Sequence, residues 1–330
     1  MAHELPDGLR SGLDRLLDGV SRTDLARRAA AISKHYREGG TSAAILSERA
    51  DAIAYLVTRL PATFAATSAV LDEVRARAPA FAPRSVLDVG AGPGTASWAA
   101  TSIWPNVGTV TMVDGNRPFL AVAGELASAS DRTALRTSRR VVAEMSRWDL
   151  PPADLVVAGF ALAEIAEQHV AETVAALWRA SAGMLVLVEP GTPSGFARIL
   201  SARSTLIAAG ARILAPCPHA AACPIVPPDW CHFAVRLPRL RDHKLVKGAT
   251  VPFEDEKFSY VAVGRDLGRD SPAAARILSP PRLGKAELRL RLCTAEGIVE
   301  RSAARRDRDA FANLRRARWG DGLGDDGRLL

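Results

Sequence analysis

A strand, a glycine-rich loop and the start of a helix follow one another over residues 85–100, in the sequence SVLDVGAGPGTASWAA. The run Ser85–Val89 is apolar and β-branched, which is typical of a buried parallel strand. Three glycines follow within five residues: Gly90, Gly92 and Gly94. Glycines allow the backbone to turn sharply and to approach a ligand closely. A helix that begins at Thr95 would point its unpaired N–H groups and the positive end of its dipole at that ligand.

The spacing of these glycines separates two kinds of cofactor site. A dinucleotide site has the pattern G-x-G-x-x-G, whereas the glycines here alternate and Asp88 lies one residue before the strand ends. An acidic residue at this place suits S-adenosylmethionine (SAM), which carries an ammonium and a sulfonium group but no pyrophosphate. The pattern D-x-G-x-G-x-G also resembles motif I of class I SAM-dependent methyltransferases. The predicted SAM contacts in this loop are Asp88, Gly90, Gly92 and Gly94. The alternative is a loop that only turns the chain.

Strand-like and helical runs alternate after this loop. Further strands are predicted at Gly108–Val113, Arg139–Ala143, Asp154–Ala158 and Met184–Val188. The alternation predicts a doubly wound parallel sheet whose loops meet at one edge. Asp114 ends the second strand and is a candidate to bind the two ribose hydroxyls, although a nicotinamide-dependent enzyme would also have an acidic residue there. Glu144 follows the third strand and is either an adenine contact or a surface carboxylate.

Three regions are predicted along the chain. Residues 1–78 carry apolar side chains at helical spacing and are expected to form a helical N-terminal region. Residues 79–200 are expected to form the SAM-binding, Rossmann-like domain. Residues 201–330 are expected to hold a cysteine-rich, cluster-binding loop and a basic C-terminal β/α unit. The predicted fold class is therefore α/β, a class I methyltransferase domain flanked by a helical region and a small antiparallel β unit.

Local patterns predict some boundaries within the outer regions. Two helices are expected to meet at Leu60 and Pro61, because proline is tolerated at a helix start but blocks the helix before it. Short strand-like runs broken by Gly and Pro predict that residues 245–301 form the antiparallel unit. A basic helix is expected over Ala304–Arg318.

Charge is distributed unevenly along the chain. Residues 1–230 hold 22 basic and 22 acidic residues, whereas residues 231–330 hold 21 basic and 14 acidic, so the whole net charge of +7 lies there. This favours a polyanionic partner for the C-terminal third, with a solvated basic face as the alternative. Four acidic residues within the first 20 argue against a signal or transit peptide, and no apolar run reaches the roughly 18 residues of a membrane helix. We therefore expect a cytoplasmic protein.

The cysteines predict a metal site. Three lie within fifteen residues, at Cys217, Cys223 and Cys231, and Cys293 follows after 61 intervening residues. When a cytoplasmic protein has only a few cysteines, they bind metal more often than they form disulfides. Structural zinc normally uses C-x2-C turns, which are missing here.

Four thiolates match the all-cysteine ligation of a [4Fe-4S] cluster, which accepts ligands from separate directions. The spacing thus favours an iron–sulfur cluster over zinc, and buried free cysteines without metal are a third interpretation. His219 and His232 are interpreted as hydrogen-bonding neighbours, because four sulfurs suffice as ligands.

Several motifs together carry a family resemblance. They are RLPAT at Arg59–Thr63, the loop at Asp88–Gly94, LVEPGTPSGF at Leu187–Phe196, CPH at Cys217, CP at Cys223, WCHF at Trp230–Phe233, FEDEKFSYVAV at Phe253–Val263, LC at Cys293 and WGD at Trp319–Asp321. With them the chain resembles the methyltransferase-like small-ribosomal-subunit proteins, assembly factors found in mitochondria and also in bacteria. The resemblance implies a SAM-binding Rossmann-like domain, a [4Fe-4S] cluster on the four cysteines and association with small-subunit ribosomal RNA (rRNA). We expect a monomeric, bacterial member of this family.

The sequence assigns no catalytic residue. An RNA amino-methyltransferase usually has an Asn/Asp-Pro-Pro-aromatic run after the fourth strand, where this chain has AGFALAEI. An RNA carbon-5 methyltransferase needs a cysteine nucleophile, and all four cysteines are predicted ligands. Phe160 and Glu164 are candidates to stack on and hold a base, although packing explains both. Two hypotheses follow, a SAM-dependent rRNA methyltransferase and a noncatalytic assembly factor that uses SAM and the cluster as structural or sensing ligands.

Overall fold

The structure, a computed structural model, describes residues 3–38, 40–145, 149–266 and 273–330. Its helices are α1 (Asp7–Leu17), α2 (Arg22–Arg37), α3 (Ser42–Ile45), α4 (Arg49–Arg77), α5 (Thr95–Ile103), α6 (Arg117–Ser128), α7 (Thr133–Arg136), α8 (Glu167–Ala180), α9 (Pro193–Ala208), α10 (Arg241–Lys247), α11 (Arg308–Leu314) and a 3₁₀ helix at Leu162–Glu164. Its strands are β1 (Ser85–Val89), β2 (Thr109–Asp114), β3 (Arg139–Val142), β4 (Ala153–Gly159), β5 (Ser181–Pro190), β6 (Arg212–Ala215), β7 (Phe233–Pro238), β8 (Phe253–Gly264), β9 (Ala275–Ile277), β10 (Arg282–Leu283), β11 (Glu287–Thr294), β12 (Gly297–Ala304) and β13 (Gly322–Leu323).

A mixed central sheet organises the molecule. Its order is β3-β2-β1-β4-β5-β8-β6, with β7 also paired to β8. The first five strands are parallel, so the loops after β1, β2, β3 and β4 meet at one edge. Strand β8 runs antiparallel between β5 and β6. This is the class I SAM-dependent methyltransferase arrangement, and it confirms the predicted fold class.

Strands β1, β2, β4, β5, β6 and β8 supply side chains to two hydrophobic cores. In β1, Val86 packs with α1, α4, α5 and α6, whereas the next residue, Leu87, packs with α8 and α9 on the opposite face. Neighbouring strands follow the same alternation, because successive side chains of a strand point to opposite faces. Both faces are covered by helices, which explains why the central parallel strands β1, β4 and β5 are mostly apolar in sequence.

Helix α4 corrects one prediction. It runs unbroken from Arg49 to Arg77 with Pro61 inside it, so the predicted break at Leu60 and Pro61 is wrong. A proline in a helix interior costs about 3 kcal/mol. The helix packs against α2, α5, α6, β7 and β8, and burial of each large apolar side chain contributes about 1.5–3 kcal/mol, which offsets that cost.

Helix α4 is also long and apolar enough to cross a membrane, judged by length and composition alone. In the structure, 83% of its most apolar 18-residue window is buried inside the protein. The described packing of α4 is thus that of a core helix.

A second, antiparallel sheet follows the central one. It has the order β10-β11-β9-β13, and β12 pairs with β11 along the whole of that strand. The prediction that 245–301 forms one antiparallel unit is therefore wrong in part, because β8 joins the central sheet and residues 241–247 form α10. The predicted helix over Ala304–Arg318 is shorter, since Ala304 pairs within β12 and α11 covers only Arg308–Leu314.

The predicted division of the chain at residues 79 and 201 stays a prediction. Strands from both sides of the second boundary share the central sheet, because β6, β7 and β8 follow residue 200 and extend the sheet beyond β5. The N-terminal region is helical, as expected, through α1 to α4.

Candidate functional site

A cavity of about 570 Å³ lies at the edge where the parallel strands end. Five of the six predicted SAM contacts line it: Asp88, Gly90, Gly92, Asp114 and Glu144. The volume falls within the roughly 300–1,000 Å³ that is usual for small-molecule sites. The sixth, Gly94, is not among the described lining residues and instead forms the N-cap of α5.

The glycine loop is pinned to the end of β2. Gly90 and Ala91 both donate their N–H groups to the carbonyl of Val113, at N···O distances of 2.8 and 3.0 Å. A Cβ atom on Gly90 would lie 2.4 Å from the Cβ of Ala161, closer than real Cβ contacts come. Only glycine therefore allows the loop to pass under the segment that follows β4.

Asp114 holds the loop as well as facing the cavity. Its Oδ2 accepts the N–H of Gly92 and its Oδ1 accepts the N–H of Asn116, each at 2.7 Å. Burial raises the pKa of this carboxyl, while the two backbone bonds oppose the rise. A carboxylate has about four acceptor positions, so two backbone bonds leave capacity for ribose hydroxyls.

Asp88 links the end of β1 to the first turn of α5. Its Oδ2 accepts both the backbone N–H and the hydroxyl of Ser97, at 2.9 and 2.7 Å. Burial raises the pKa of Asp88 to about 6, against those hydrogen bonds. The carboxyl is fully buried yet borders the cavity, so its charge state is sensitive to whatever occupies the cavity.

The N-terminal region closes one side of the cavity, which sequence reasoning missed. Tyr36, Ser42 and Tyr55 all line it. The backbone N–H of Ser42 donates to Oε2 of Glu164 at 2.6 Å, and the side-chain amide of Asn116 donates to the carbonyl of Leu46 at 2.8 Å. These contacts join residues separated by 122 and 70 positions, so no local pattern could have indicated them.

The segment after β4 presents the two residues proposed to hold a base. Phe160 lines the cavity with a φ of 59°, a strained backbone conformation that residues other than glycine rarely adopt, and its N–H donates to the carbonyl of Val188 at 2.6 Å. Glu164 also lines the cavity, but its carboxylate already accepts the N–H of Ser42. The surrounding structure therefore holds the Phe160 backbone in this conformation. The carboxylate of Glu164 instead bonds the N-terminal region that closes one side of the cavity, called the N-terminal cover below.

All four cysteines border a second, small cavity of about 30 Å³. Cys217, Cys223 and Cys231 reach it from the loop between β6 and β7, and Cys293 reaches it from β11. Thus the second sheet meets the cysteine-rich loop at this point, as the sequence predicted. Among the residues that the structure describes, no three His, Cys, Asp or Glu side chains are placed to hold one metal ion.

The thiols lie close together, with Cys293 buried and the three others half-buried. Burial raises the pKa of Cys231 well above its ordinary value, and the three other cysteines raise it further. Burial likewise raises the pKa of Cys293 to about 12, with Cys217 and Cys223 adding to the effect. Both histidines of this region have polar neighbours, since Nε2 of His219 lies 3.7 Å from Sγ of Cys293 and Nδ1 of His232 lies 3.2 Å from the carbonyl oxygen of Trp230.

Comparison with protein families identifies the chain. The family model described as mitochondrial small ribosomal subunit Rsm22 matches residues 49–324. The chain belongs to the Rsm22 family. The match begins at α4 and ends at β13, so it covers both sheets, the glycine loop and all four cysteines.

Relatives within the Rsm22 family are longer than this chain. The human mitochondrial ribosome assembly protein METTL17 is 29% identical over 288 residues, which cover 82% of this chain and 61% of the human protein. Rsm22-cox11 tandem protein 2 of Schizosaccharomyces pombe, also mitochondrial, is 25% identical over 323 residues, which cover 82% of this chain and 42% of the yeast protein. The chain thus spans about half the length of these relatives.

Solved structures similar to this Rsm22-family chain include methyltransferases. Magnesium protoporphyrin IX methyltransferase from Synechocystis with bound SAM matches with a TM-score of 0.40 and 14% identity, over 64% of this chain and 85% of that one. Precorrin-6y C5,15-methyltransferase from Geobacter metallireducens matches with a TM-score of 0.39 and 18% identity, over 60% and 86% of the two chains.

Proposed function

We propose that this protein binds SAM at the glycine loop, carries a [4Fe-4S] cluster on its four cysteines and acts with small-subunit rRNA in ribosome assembly. The observation that carries the proposal is the match of the Rsm22 family over residues 49–324, which includes the glycine loop and all four cysteines. The human relative is named a ribosome assembly protein, which supports the same class of role here.

The geometry of the larger cavity supports SAM as its ligand. Gly90 and Gly92 bring the backbone against the cavity, and Asp88 and Asp114 place two carboxyls on its wall. Two acidic groups suit a ligand with an ammonium group and a ribose, and they disfavour a phosphate. Glu144, which lines the same cavity, stays the candidate adenine contact.

The arrangement of the cysteines supports a shared metal group, because all four line one small cavity. A cluster spreads its four ligands around a larger body and takes them from different elements. In this protein, the loop after β6 and strand β11 would together hold the cluster, with zinc as the alternative metal.

The pH dependence of SAM affinity tests the role of Asp88. Because the pKa of Asp88 is raised to about 6 by burial and the ammonium of SAM favours the carboxylate, binding below pH 6 must release a proton. We expect the affinity measured by calorimetry to fall by up to about tenfold per unit as the pH falls from 6 to 5. Above pH 6 the affinity should level off.

Titration of Asp88 affects folding stability in the opposite direction to SAM affinity. A carboxyl whose pKa rises from 3.8 to about 6 on folding stabilises the protein most below pH 3.8, and this contribution is lost as the pH rises through 6. Protonation of Asp88 at pH 5 therefore does not destabilise the fold, so a loss of SAM affinity at that pH is not explained by unfolding that Asp88 causes. Asp88→Asn should bind weakly and equally at both pH values, and a flat profile for the unchanged protein would contradict the assignment.

Exposed arginines near the C-terminus support contact with RNA. Four of them flank α11 and are exposed: Arg305, Arg306, Arg315 and Arg316. Each phosphate contact steepens the log–log dependence of RNA affinity on salt by roughly 0.7–0.9. Replacing all four by glutamine should flatten the slope for a small-subunit rRNA fragment by up to about 3 units. Arg212→Gln, an exposed arginine on β6, is the control, and an unchanged slope in the fourfold variant would remove this surface from the proposal.

Two roles for SAM are open, and the sequence after β4 favours the second. Methyl transfer to an rRNA amine needs a group that holds the acceptor, and the segment AGFALAEI lacks the Asn/Asp-Pro-Pro-aromatic run that usually does so. This favours a noncatalytic assembly factor in which bound SAM stabilises the closed N-terminal cover. Mass spectrometry of small-subunit rRNA from cells with and without the gene distinguishes the two. A methyl group that disappears with the gene, and also in a Gly92→Val strain, would establish the enzyme.

A further inference from the structure

Two buried arginines border the cavity of the four cysteines. Arg203 of α9 is 4% exposed and Arg276 of β9 is 1% exposed, and both line this cavity. Arg276 also pairs directly with Cys293 in the register of β9 and β11. Burying a charge is unfavourable by several kcal/mol unless partners compensate it. The partners of the two guanidinium groups therefore indicate what the cavity is built to hold.

Arg276 leaves one end of its guanidinium without a partner. Its Nε donates to the carbonyl of Pro216 at 2.9 Å, and its Nη1 donates to the carbonyl of Gly320 at 2.7 Å and pairs with Glu73 at 2.8 Å. Its Nη2 is buried and has no hydrogen-bond partner among the described residues. Three elements thus fix the guanidinium, and one fully buried donor group stays unused.

Arg203 has the same property. Its Nη2 donates to the carbonyls of His219 and Ala221, at 2.7 and 2.8 Å, which positions the turn between Cys217 and Cys223. Its Nε is buried without a hydrogen-bond partner in the described ranges. The guanidinium lies near the thiol of Cys217, where it opposes the rise in pKa that burial causes. A buried cation without an anion requires a negative group nearby.

We propose that Arg203 and Arg276 donate N–H bonds to the sulfur atoms of the group held by the four cysteines and set its reduction potential. The inference rests on the proposed cluster. Four thiolates on a [4Fe-4S] core with two positive charges carry a net charge of −2. Arg203 has no carboxylate partner in the described ranges and offsets part of this charge, whereas Arg276 is already paired with Glu73 and contributes an N–H donor. Because reduction adds a further negative charge, buried cations and N–H donors raise the potential of a cluster.

Single substitutions test this without removing a thiolate. In protein made anaerobically, Arg203→Gln and Arg276→Gln should keep their iron and visible absorption but show a more negative midpoint potential in a titration followed by electron paramagnetic resonance. Arg212→Gln removes an exposed cation from β6 and should leave the potential unchanged. Should Arg276→Gln fail to fold because Glu73 loses a partner, Arg276→Lys keeps the charge, loses N–H donors and should shift the potential in the same direction.

The outcomes separate this inference from the cluster itself. A loaded cluster whose potential is the same in all variants overturns the role of the arginines and leaves the cluster in place. If the protein without substitutions carries zinc instead of iron, the cluster assignment is wrong. The arginines are then tested by the rate at which a chelator removes zinc, which should rise about 10- to 100-fold in Arg203→Gln and Arg276→Gln, and an unchanged rate would reject them. Protein free of metal overturns both proposals.

Discussion

Valine in place of Gly92 is expected to abolish SAM binding while the protein stays folded. Gly92 lines the larger cavity with a φ of +52°, and a Cβ built on it lies no closer than 3.9 Å to Phe119, the nearest side chain. The new methyl groups therefore meet the ligand and not the protein core. We expect affinity to fall at least about 100-fold, which corresponds to about 2.7 kcal/mol. Calorimetry with SAM measures this directly.

The control for this variant separates strain from loss of space. A left-handed backbone conformation costs a residue other than glycine about 1–2 kcal/mol. Gly19 has a φ of +67° with no atom within 4 Å of a built Cβ, so Gly19→Val imposes similar strain away from the cavity. Both variants should show a similar loss of melting temperature, and only Gly92→Val should lose SAM. Equal affinity in the two variants would refute the placement of the ligand.

Serine in place of Cys293 is expected to remove the cluster and loosen the second sheet. Cys293 brings β11 to the loop that holds the three other cysteines, so the metal would tie elements separated by 61 residues. Free energy of metal binding to such a site is folding free energy. We expect the anaerobic protein to be brown with about four irons per chain. The variant should be colourless, melt at a lower temperature and bind rRNA more weakly.

A neighbouring substitution is the control for the cluster. Thr294→Ser changes the next residue of β11 and keeps the hydroxyl that donates to the carbonyl of Gly297, so iron content should not change. SAM affinity should be nearly the same in Cys293→Ser, because the glycine loop belongs to the central sheet. One zinc per chain would reject the cluster but keep the tether, and a metal-free protein of normal stability would reject both.

The sequence predicts the central fold well, because local signals there agree with the tertiary structure. Ser85–Val89 is β1 with the predicted bounds, and the four following strands lie within three residues of their predicted ends. The break at Pro61 fails because burial along α4 outweighs a local preference. The predicted position of β8 is wrong for another reason. The run KFSYVAVGR has the pattern of a strand but does not specify which sheet the strand joins.

In the candidate sites too, local sequence patterns do not predict contacts that depend on tertiary packing. The glycine motif and the ends of the next two strands predict five residues that line the larger cavity, whereas Tyr36 and Ser42 reach it only through the packing of the N-terminal helices. Likewise, cysteine spacing predicts a shared site, but Arg203 and Arg276 look like ordinary surface arginines in the sequence. Their burial depends on α9 and β9 meeting at the cysteine-rich loop.

Sedimentation of ribosomal particles is the most direct test of the central proposal, which is that the protein acts on the assembling small subunit. In lysates of cells that make the protein at its native level, we expect it to migrate with precursors of the small subunit at low salt. Cells without the gene should accumulate those precursors and show a reduced ratio of mature small to large subunits. Protein found only in the free fractions, together with an unchanged subunit ratio in cells without the gene, would contradict the proposal.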